Sequence, residues 1–180
     1  MTLRALVLSC CLLATQFATA AAPKEFWWTY LAQYDGVPGV VKVNLAIHAK
    51  MPSEEYPDVV ITGPTYTSVK KSGLPEEADA ERLDALAKKV IATVKKVTPS
   101  IYVGSFSYKY RQVHYIYLKH SEGVEQALAK LYEKECKDCK ATILVKADST
   151  WYNYRGFLFP NEGTIRFNKK ELDKLGAPLQ

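Results

Sequence analysis

Histidine is scarce in this sequence, and the groupings typical of common catalytic sites are missing. Three histidines occur among its 180 residues, namely His48, His114 and His120. No G-x-S-x-G segment, glycine-rich phosphate loop or H-E-x-x-H pair is present. His114 and His120 flank one predicted strand, and they would reach His48 only in some strand orders. We therefore predict no catalytic residue, no metal site and no cofactor, and we expect each histidine to be packed or solvated.

Long apolar runs are missing except at the N-terminus. A short basic start over residues 1–4 precedes an apolar stretch over residues 5–17 and small residues at 18–20. This pattern is typical of a secretory signal peptide. The apolar stretch is shorter than the ~20 residues that span a membrane. We predict a signal peptide over residues 1–20, cleavage after Ala20, and a periplasmic or secreted product with no integral membrane segment.

Cysteine is also rare. Of the four cysteines, Cys10 and Cys11 lie in the apolar stretch, where lipid attachment is the alternative to a soluble product. Cys136 and Cys139 remain after cleavage and should form a disulfide in an oxidising compartment. We predict a structural bond, because the pair follows a helical run, whereas a redox pair would begin a helix. Redox catalysis stays the alternative, and a zinc site would lack its second pair of ligands.

No strong excess of one charge is present. The formal net charge is +5, from 24 Lys+Arg against 19 Asp+Glu, and the loss of Arg4 with the signal peptide lowers it by one. The basic residues are scattered, so we expect no basic stripe of the kind that binds nucleic acid. Residues 21–180 are long enough for one domain with a buried core over residues 26–160.

What the sequence does contain is an ordered series of strand and helix patterns. Alternating and aromatic stretches predict one hairpin ahead of a strand and a second hairpin that turns at Arg111-Gln112. An apolar stripe up to Val97 predicts a long helix that begins at Pro75. Ser121 is the predicted cap of a second helix. The predicted segments are 26–34, 40–49 and 58–62 for the first three strands, 75–98 for the helix, 101–110 and 113–118 for the second hairpin, and 142–147 for a later strand.

The C-terminal part adds two short elements. The aromatic run over residues 151–159 predicts a short strand, and Asn168 with Glu171 predicts the start of a last helix. Residues 58–148 follow the order strand, helix, strand, strand, helix, strand, which is that of ferredoxin-like folds. We predict an α+β fold, namely a ferredoxin-like βαββαβ sandwich preceded by a β-hairpin and followed by a short strand and a helix.

Several short motifs occur in an order that resembles a known bacterial family. They are Trp28, Asp35-Gly36-x-Pro38, Tyr56-Pro57, Gly73-Leu74-Pro75-x-Glu77, Tyr102-Val103-Gly104 and Asp148-x-x-Trp151-x-x-Tyr154-x-x-Phe157-Leu158-x-Pro160. Over residues 27–160 the chain resembles the family catalogued as domain of unknown function 695. Its last motif is also similar to the ferredoxin-like regulator B proteins of ribonuclease E. The resemblance implies a fold and no catalytic residues, and the signal peptide argues against a role on a cytoplasmic ribonuclease.

Tyrosine is the one residue type in excess, with twelve in the chain. By strand alternation, Tyr102 and Tyr108 share one face of the fourth strand, and Tyr115 and Tyr117 share one face of the fifth. An uncovered aromatic face can bind bases, sugars or proteins, whereas a covered one only stabilises the sheet. We take these four tyrosines as a predicted binding surface, with burial under the protein's own chain as the alternative.

Together these patterns predict a non-enzymatic binding or regulatory module of the bacterial envelope. Its predicted partner is a protein of the envelope, with no role for nucleic acid. The alternative is a small envelope enzyme, either a hydrolase or a thiol oxidoreductase that uses Cys136 and Cys139.

Overall fold

The computed structural model of the protein describes residues 25–174, with side chains up to Lys169. The predicted signal peptide, with Cys10 and Cys11, lies outside these residues. Within them the fold is mixed α+β, with a 3₁₀ helix over Leu45–Lys50 and a π-helical segment over Asn153–Leu158. The strands and α-helices follow in the order β1 Trp27–Tyr34, β2 Val37–Asn44, β3 Asp58–Pro64, α1 Glu77–Val97, β4 Ser100–Tyr108, β5 Arg111–Leu118, α2 Val124–Glu135, β6 Ala141–Ala147 and α3 Glu162–Lys174.

The strands form one antiparallel sheet in the order β1-β2-β4-β5-β3-β6. The first hairpin turns at Asp35-Gly36, as its sequence favours. The second turns at Lys109-Tyr110 and not at the predicted Arg111-Gln112, which lie in β5. Lys109 and Tyr110 have φ values of 43° and 62° although neither is glycine or asparagine. Two backbone hydrogen bonds hold this turn, from Tyr110 N to Gly73 O and from Tyr66 N to Tyr110 O, both 2.9 Å.

Helices α1 and α2 cover one face of the sheet. The predicted apolar stripe of α1 is confirmed, because Val90 and Val94 are fully buried against Val60 and Ile116 of the sheet. Leu128 of α2 is fully buried in the same core. The cap of α2 is Gly123, in the left-handed region, and not the predicted Ser121. The 3₁₀ helix and the π-helical segment pack on the opposite face and enclose a second core.

Strand β2 ends earlier than its alternating pattern predicts. The pattern runs through Leu45 and Ile47, but both residues lie in the 3₁₀ helix. The side chain of Asn44 causes the change, since its Oδ1 accepts hydrogen bonds from the backbone N–H groups of Ala46 at 3.1 Å and Phe26 at 3.2 Å. Leu45 and Ile47 still pack against the core, so the apolar pattern marks burial and not strand.

The predicted strand over residues 151–159 is wrong, because this stretch forms the π-helical segment. Trp151, Tyr154 and Leu158 are spaced by three and four residues, which places all three against the sheet, and each is fully buried.

The last helix also differs from its prediction. Helix α3 begins at Glu162 and not near Asn168, because Asn161 Oδ1 accepts a hydrogen bond from Thr164 N at 2.8 Å and caps the helix seven residues earlier than expected. Asn168 therefore lies inside the helix. Within residues 25–174, no helix combines the length and the apolar composition needed to cross a membrane.

Candidate functional site

A cleft opens where the sheet extends past the helix layer. Six strands about 4.8 Å apart are wider than two helices about 10 Å apart can cover. Helix α1 packs on β4 and β5, so part of the same face near β2 stays open beside it. The resulting cavity has a volume of about 430 Å³. Its walls and floor are formed by Thr29, Val40, Lys42, Pro75, Ala80, Asp84, Ala87, Lys88, Ile91, Tyr102, Ser105, Ser107, Gln112 and His114.

The strand register brings polar side chains together on the floor of this cleft. Lys42 pairs with Ser105 across β2 and β4, and Ser105 pairs with His114 across β4 and β5. Two residues further along β4, Ser107 pairs with Gln112. Residues two apart in a strand share a face, so both rows point toward α1. Ser105, Ser107 and His114 are buried, whereas Lys42 is exposed at the rim.

His114 is the most deeply buried polar residue of the cleft, with 2% of its surface exposed. Its Nδ1 lies 3.3 Å from the hydroxyl of Tyr102. Its Nε2 is buried and has no hydrogen-bond partner among residues 25–174. Burial, together with a smaller effect from the charge of Lys42, lowers the pKa of His114 to about 4. The imidazole is therefore neutral at pH 7 and holds one unpaired polar atom.

Gln112 contributes a second unpaired atom. Its Nε2 donates to Ser107 Oγ at 3.3 Å, and its Oε1 is buried without a partner among the described residues. An unpaired buried polar atom costs about 1–3 kcal/mol. The same cleft therefore contains two such atoms, which a bound molecule could pair.

Charged side chains line the mouth of the cleft. Asp84 and Lys88 lie one turn apart on the exposed face of α1, opposite Lys42 of β2. None of the three forms an ion pair with a described residue. Lys42 Nζ lies 5.7 Å from the ring centre of Trp27, a cation–π contact at the edge of the cleft.

The predicted tyrosine surface does not exist as one face. Register shifts between Tyr102 and Gly104 at a β-bulge, which places Tyr102 on the α1 side of the sheet and Tyr108 on the other side. Tyr115 and Tyr117 also lie on that other side and are 6% and 0% exposed. Of the four, Tyr102 alone lines the cleft.

The π-helical segment is what covers the buried tyrosines. Tyr117 stacks on Trp151 with ring centres 3.6 Å apart and planes at 4°. Its hydroxyl donates to Asp148 Oδ2 at 2.6 Å, while the hydroxyl of Tyr154 donates to Asn44 O at 2.9 Å. Internal partners for these two hydroxyl groups explain why Tyr117 and Tyr154 tolerate a dry interior.

Cys136 and Cys139 lie at the position predicted for them. Their sulfur atoms are within bonding distance and their Cα atoms are 5.1 Å apart. Cys136 is the C-terminal cap of α2, at the negative end of the helix dipole. The bond joins the end of α2 to the turn before β6, far along the chain from the cleft residues.

The cleft presents hydrogen-bonding groups and charged side chains that are not joined into a catalytic pair or a metal site among the described residues. Among the described residues, no hydrogen bond joins His114 to Ser105 or Asp84, so no nucleophile–base pair is formed. In the same part of the chain, no three histidine, cysteine or carboxylate side chains gather as metal ligands.

Sequence reasoning missed the cleft floor. Ser105, Ser107, Gln112 and His114 carry no motif, and they meet because β4 pairs with β5 in one particular register. The one usable signal is polar residues repeating at every second position within otherwise apolar strands, such as Gln112 and His114.

Comparison with known proteins places this architecture in a family. No match was found among the curated proteins or among the solved structures. The protein-family model described as "Family of unknown function (DUF695)" matches residues 25–159, from strand β1 through the π-helical segment. This match confirms the resemblance to that family found in the sequence motifs. Because it covers most of the chain, the protein belongs to the DUF695 family.

Proposed function

We propose that the protein is an exported, non-enzymatic binding module that holds a small molecule in the cleft between α1 and the sheet. The observation that carries the proposal is the pair of buried, unpaired atoms on the cleft floor, His114 Nε2 and Gln112 Oε1. A cavity of about 430 Å³ is within the usual range of roughly 300–1,000 Å³ for small-molecule sites. Apolar walls with a few convergent polar groups are typical of such sites.

Binding is tested by blocking the cleft. Ala80 is exposed on α1 and lines the cavity, so Ala80→Phe should fill the mouth without changing the core. Ala92→Phe places the same side chain on the same helix away from the cavity and serves as the control. In a thermal-shift screen of a metabolite library, hits should stabilise the wild type and Ala92→Phe but not Ala80→Phe. A library without hits, or hits that Ala80→Phe retains, would contradict the proposal.

The proposed export and fold have separate support. The bonded pair Cys136 and Cys139 is compatible with an oxidising compartment. N-terminal sequencing of the secreted protein should begin at Ala21, and a start at Met1 or an acylated Cys10 would contradict export as a soluble protein. For the fold, we propose a ferredoxin-like unit of β3–β6 with α1 and α2, widened by the β1–β2 hairpin. The order β4-β5-β3-β6 supports it. A relation to regulator B proteins rests on the sequence similarity alone.

A hydrolase is the second candidate, because a histidine, a serine and a carboxylate line the same cleft. His114 is a weak base, since burial lowers its pKa to about 4. A fluorophosphonate probe should leave Ser105 unlabelled, and labelling lost in Ser105→Ala would favour the hydrolase instead.

A thiol oxidoreductase is disfavoured by position, since the end of α2 raises the cost of a thiolate at Cys136. The protein should therefore show no turnover in an insulin-reduction assay. Rapid turnover that Cys136→Ser abolishes would establish the redox alternative.

A further inference from the structure

We infer that the ligand class of the cleft is a small zwitterion of the α-amino acid type, with an apolar side chain. The inference rests on the proposed function and adds which chemistry the cleft selects. It comes from the separation of donors and acceptors along the cleft, together with the unpaired charges at its rim.

The carboxylate end is set by His114 and the lysines. Burial is the main cause that raises the pKa of Tyr102 to about 12, so this hydroxyl keeps its proton at neutral pH. It can therefore donate to His114 Nδ1, 3.3 Å away. A neutral imidazole whose Nδ1 accepts carries its own proton on Nε2. That N–H is buried without a partner among the described residues. Lys42 lies on the same row of the sheet, because Lys42 pairs with Ser105 and Ser105 pairs with His114.

The ammonium end is set by Gln112 and Asp84. Because the amide nitrogen of Gln112 donates to Ser107, the atom left over is an acceptor, Oε1. Asp84 adds a carboxylate without an ion-pair partner among the described residues. An alkylammonium group supplies three N–H donors and a positive charge, which suits both groups.

Helix α1 and strand β5 each place an acceptor residue before a donor residue along the cleft. Helix α1 and strand β5 run the same way, since Tyr110 N bonds to Gly73 O at their starts and Lys119 N bonds to Pro99 O at their ends. Asp84 precedes Lys88 by one turn of the helix, about 6 Å. Gln112 precedes His114 by two strand residues, about 7 Å. A ligand that lies along the cleft therefore meets an acceptor before a donor on each of these two elements.

The remaining wall accounts for the side chain. Val40, Ala87 and Ile91 line the same cavity and offer no polar side-chain atom. A zwitterion with an aliphatic or aromatic side chain would bury that side chain here while pairing both of its charged groups.

Calorimetric titration of the mature protein with each of the twenty common L-amino acids tests the inference. At least one with an apolar side chain should bind. For L-leucine as the example, the matched probes are 4-methylpentanoate, which lacks the ammonium group, and 3-methylbutylamine, which lacks the carboxylate. We expect each single-ended analogue of the best amino acid to bind at least tenfold more weakly.

Variants assign the two ends. Asp84→Asn should reduce the preference for the amino acid over its carboxylate analogue, and Lys42→Met should reduce the preference over its amine analogue. Lys130→Met and Glu125→Gln, on exposed positions of α2, are the charge-matched controls and should leave both preferences unchanged.

The outcomes separate the inference from the proposed function. If library compounds bind in the cleft but no amino acid does, or if a single-ended analogue binds equally well, the inference fails and the binding function stands. If nothing binds and Ala80→Phe changes no thermal shift, both fail.

Discussion

At the scale of the residue, His114 couples the cleft to the stability of the protein. The imidazole is buried and neutral, and its folded pKa of about 4 lies below the ordinary value of 6.5. Between these two values the unfolded chain binds the additional proton. The stabilisation is therefore complete above pH 6.5 and is lost as the pH falls toward 4.

We expect the free energy of unfolding of the wild type to fall by roughly 3 kcal/mol between pH 7 and pH 4, at up to about 1.4 kcal/mol per pH unit. His114→Gln removes the titrating group and should flatten this dependence. Urea denaturation at several pH values measures the slope. His120→Gln, at an exposed histidine, is the control. Equal slopes in the wild type and His114→Gln would show that His114 does not titrate as inferred.

Asp148 is the second residue on which the fold depends. Burial raises its pKa, but hydrogen bonds from Tyr117, Asn153 and the backbone of Tyr152 outweigh burial and lower the pKa below its ordinary value. These bonds hold the start of the π-helical segment on the sheet.

Asp148→Asn should lower the free energy of unfolding at pH 7 by about 2–3 kcal/mol, because charge-assisted hydrogen bonds are lost. Because the pKa of Asp148 is lowered in the folded protein, its carboxylate stabilises the fold above about pH 4 and loses this effect as the pH falls further. The difference in free energy of unfolding between the wild type and Asp148→Asn should therefore shrink below about pH 4. Chemical denaturation at pH 7 and pH 3 checks both expectations, with exposed Asp138→Asn as the control. A constant difference at both values would contradict the assignment.

At the scale of the element, Asn168 of α3 covers the outer strand β1 at Leu31. Asn168 Oδ1 accepts from Leu31 N at 2.9 Å, and its Nδ2 donates to Leu31 O at 3.1 Å. The amide thus occupies the backbone groups that a neighbouring strand would use. Leu31 itself is about half exposed, at 47%, so an open β1 would present an apolar edge of the kind that pairs with other chains.

Asn168→Ala should therefore favour self-association. We expect a concentration-dependent increase in mass by sedimentation velocity, whereas Lys169→Ala, at the next and exposed position of α3, should remain as the wild type. Identical sedimentation of all three proteins would show that the edge needs no such protection.

The disulfide acts on the end of α2. Cys136→Ser with Cys139→Ser should cost about 2 kcal/mol of stability, the loop-entropy estimate for so short a ring. Denaturation with and without reductant measures it, and the wild type with reductant should match the double variant. A variant as stable as the oxidised wild type would remove the structural role that we predict for the bond.

The elements were predictable where one local pattern decides them. The apolar stripe of α1 and the aromatic stretch of β1 are such cases. The turn at Lys109-Tyr110 was not, because distant backbone bonds hold a conformation for which its residues have no preference. Nor was the π-helical segment, where aromatic residues typical of strands follow helical spacing. The cleft depends on register and on the bulge beside Tyr102, which no local pattern reports.

At the scale of the whole molecule, different elements cover the two faces of the sheet. The π-helical segment and the 3₁₀ helix enclose the core around Trp151 and Tyr117. On the helix side, the strands near the β1–β2 hairpin extend beyond α1, and the cleft lies in the uncovered part.

Because the two faces differ, tryptophan fluorescence should report whether the cleft is occupied. Trp27 and Trp28 are consecutive in β1 and lie on opposite faces, with Trp27 beside Tyr102 at 5.3 Å between ring centres and Trp28 beside Tyr30 at 5.1 Å. A ligand that approaches Lys42 should alter the emission of Trp27 and leave that of Trp28 and the sealed Trp151 unchanged. Trp27→Phe should therefore abolish a ligand-dependent fluorescence change that Trp28→Phe retains, so occupancy of the cleft can be followed without any added label.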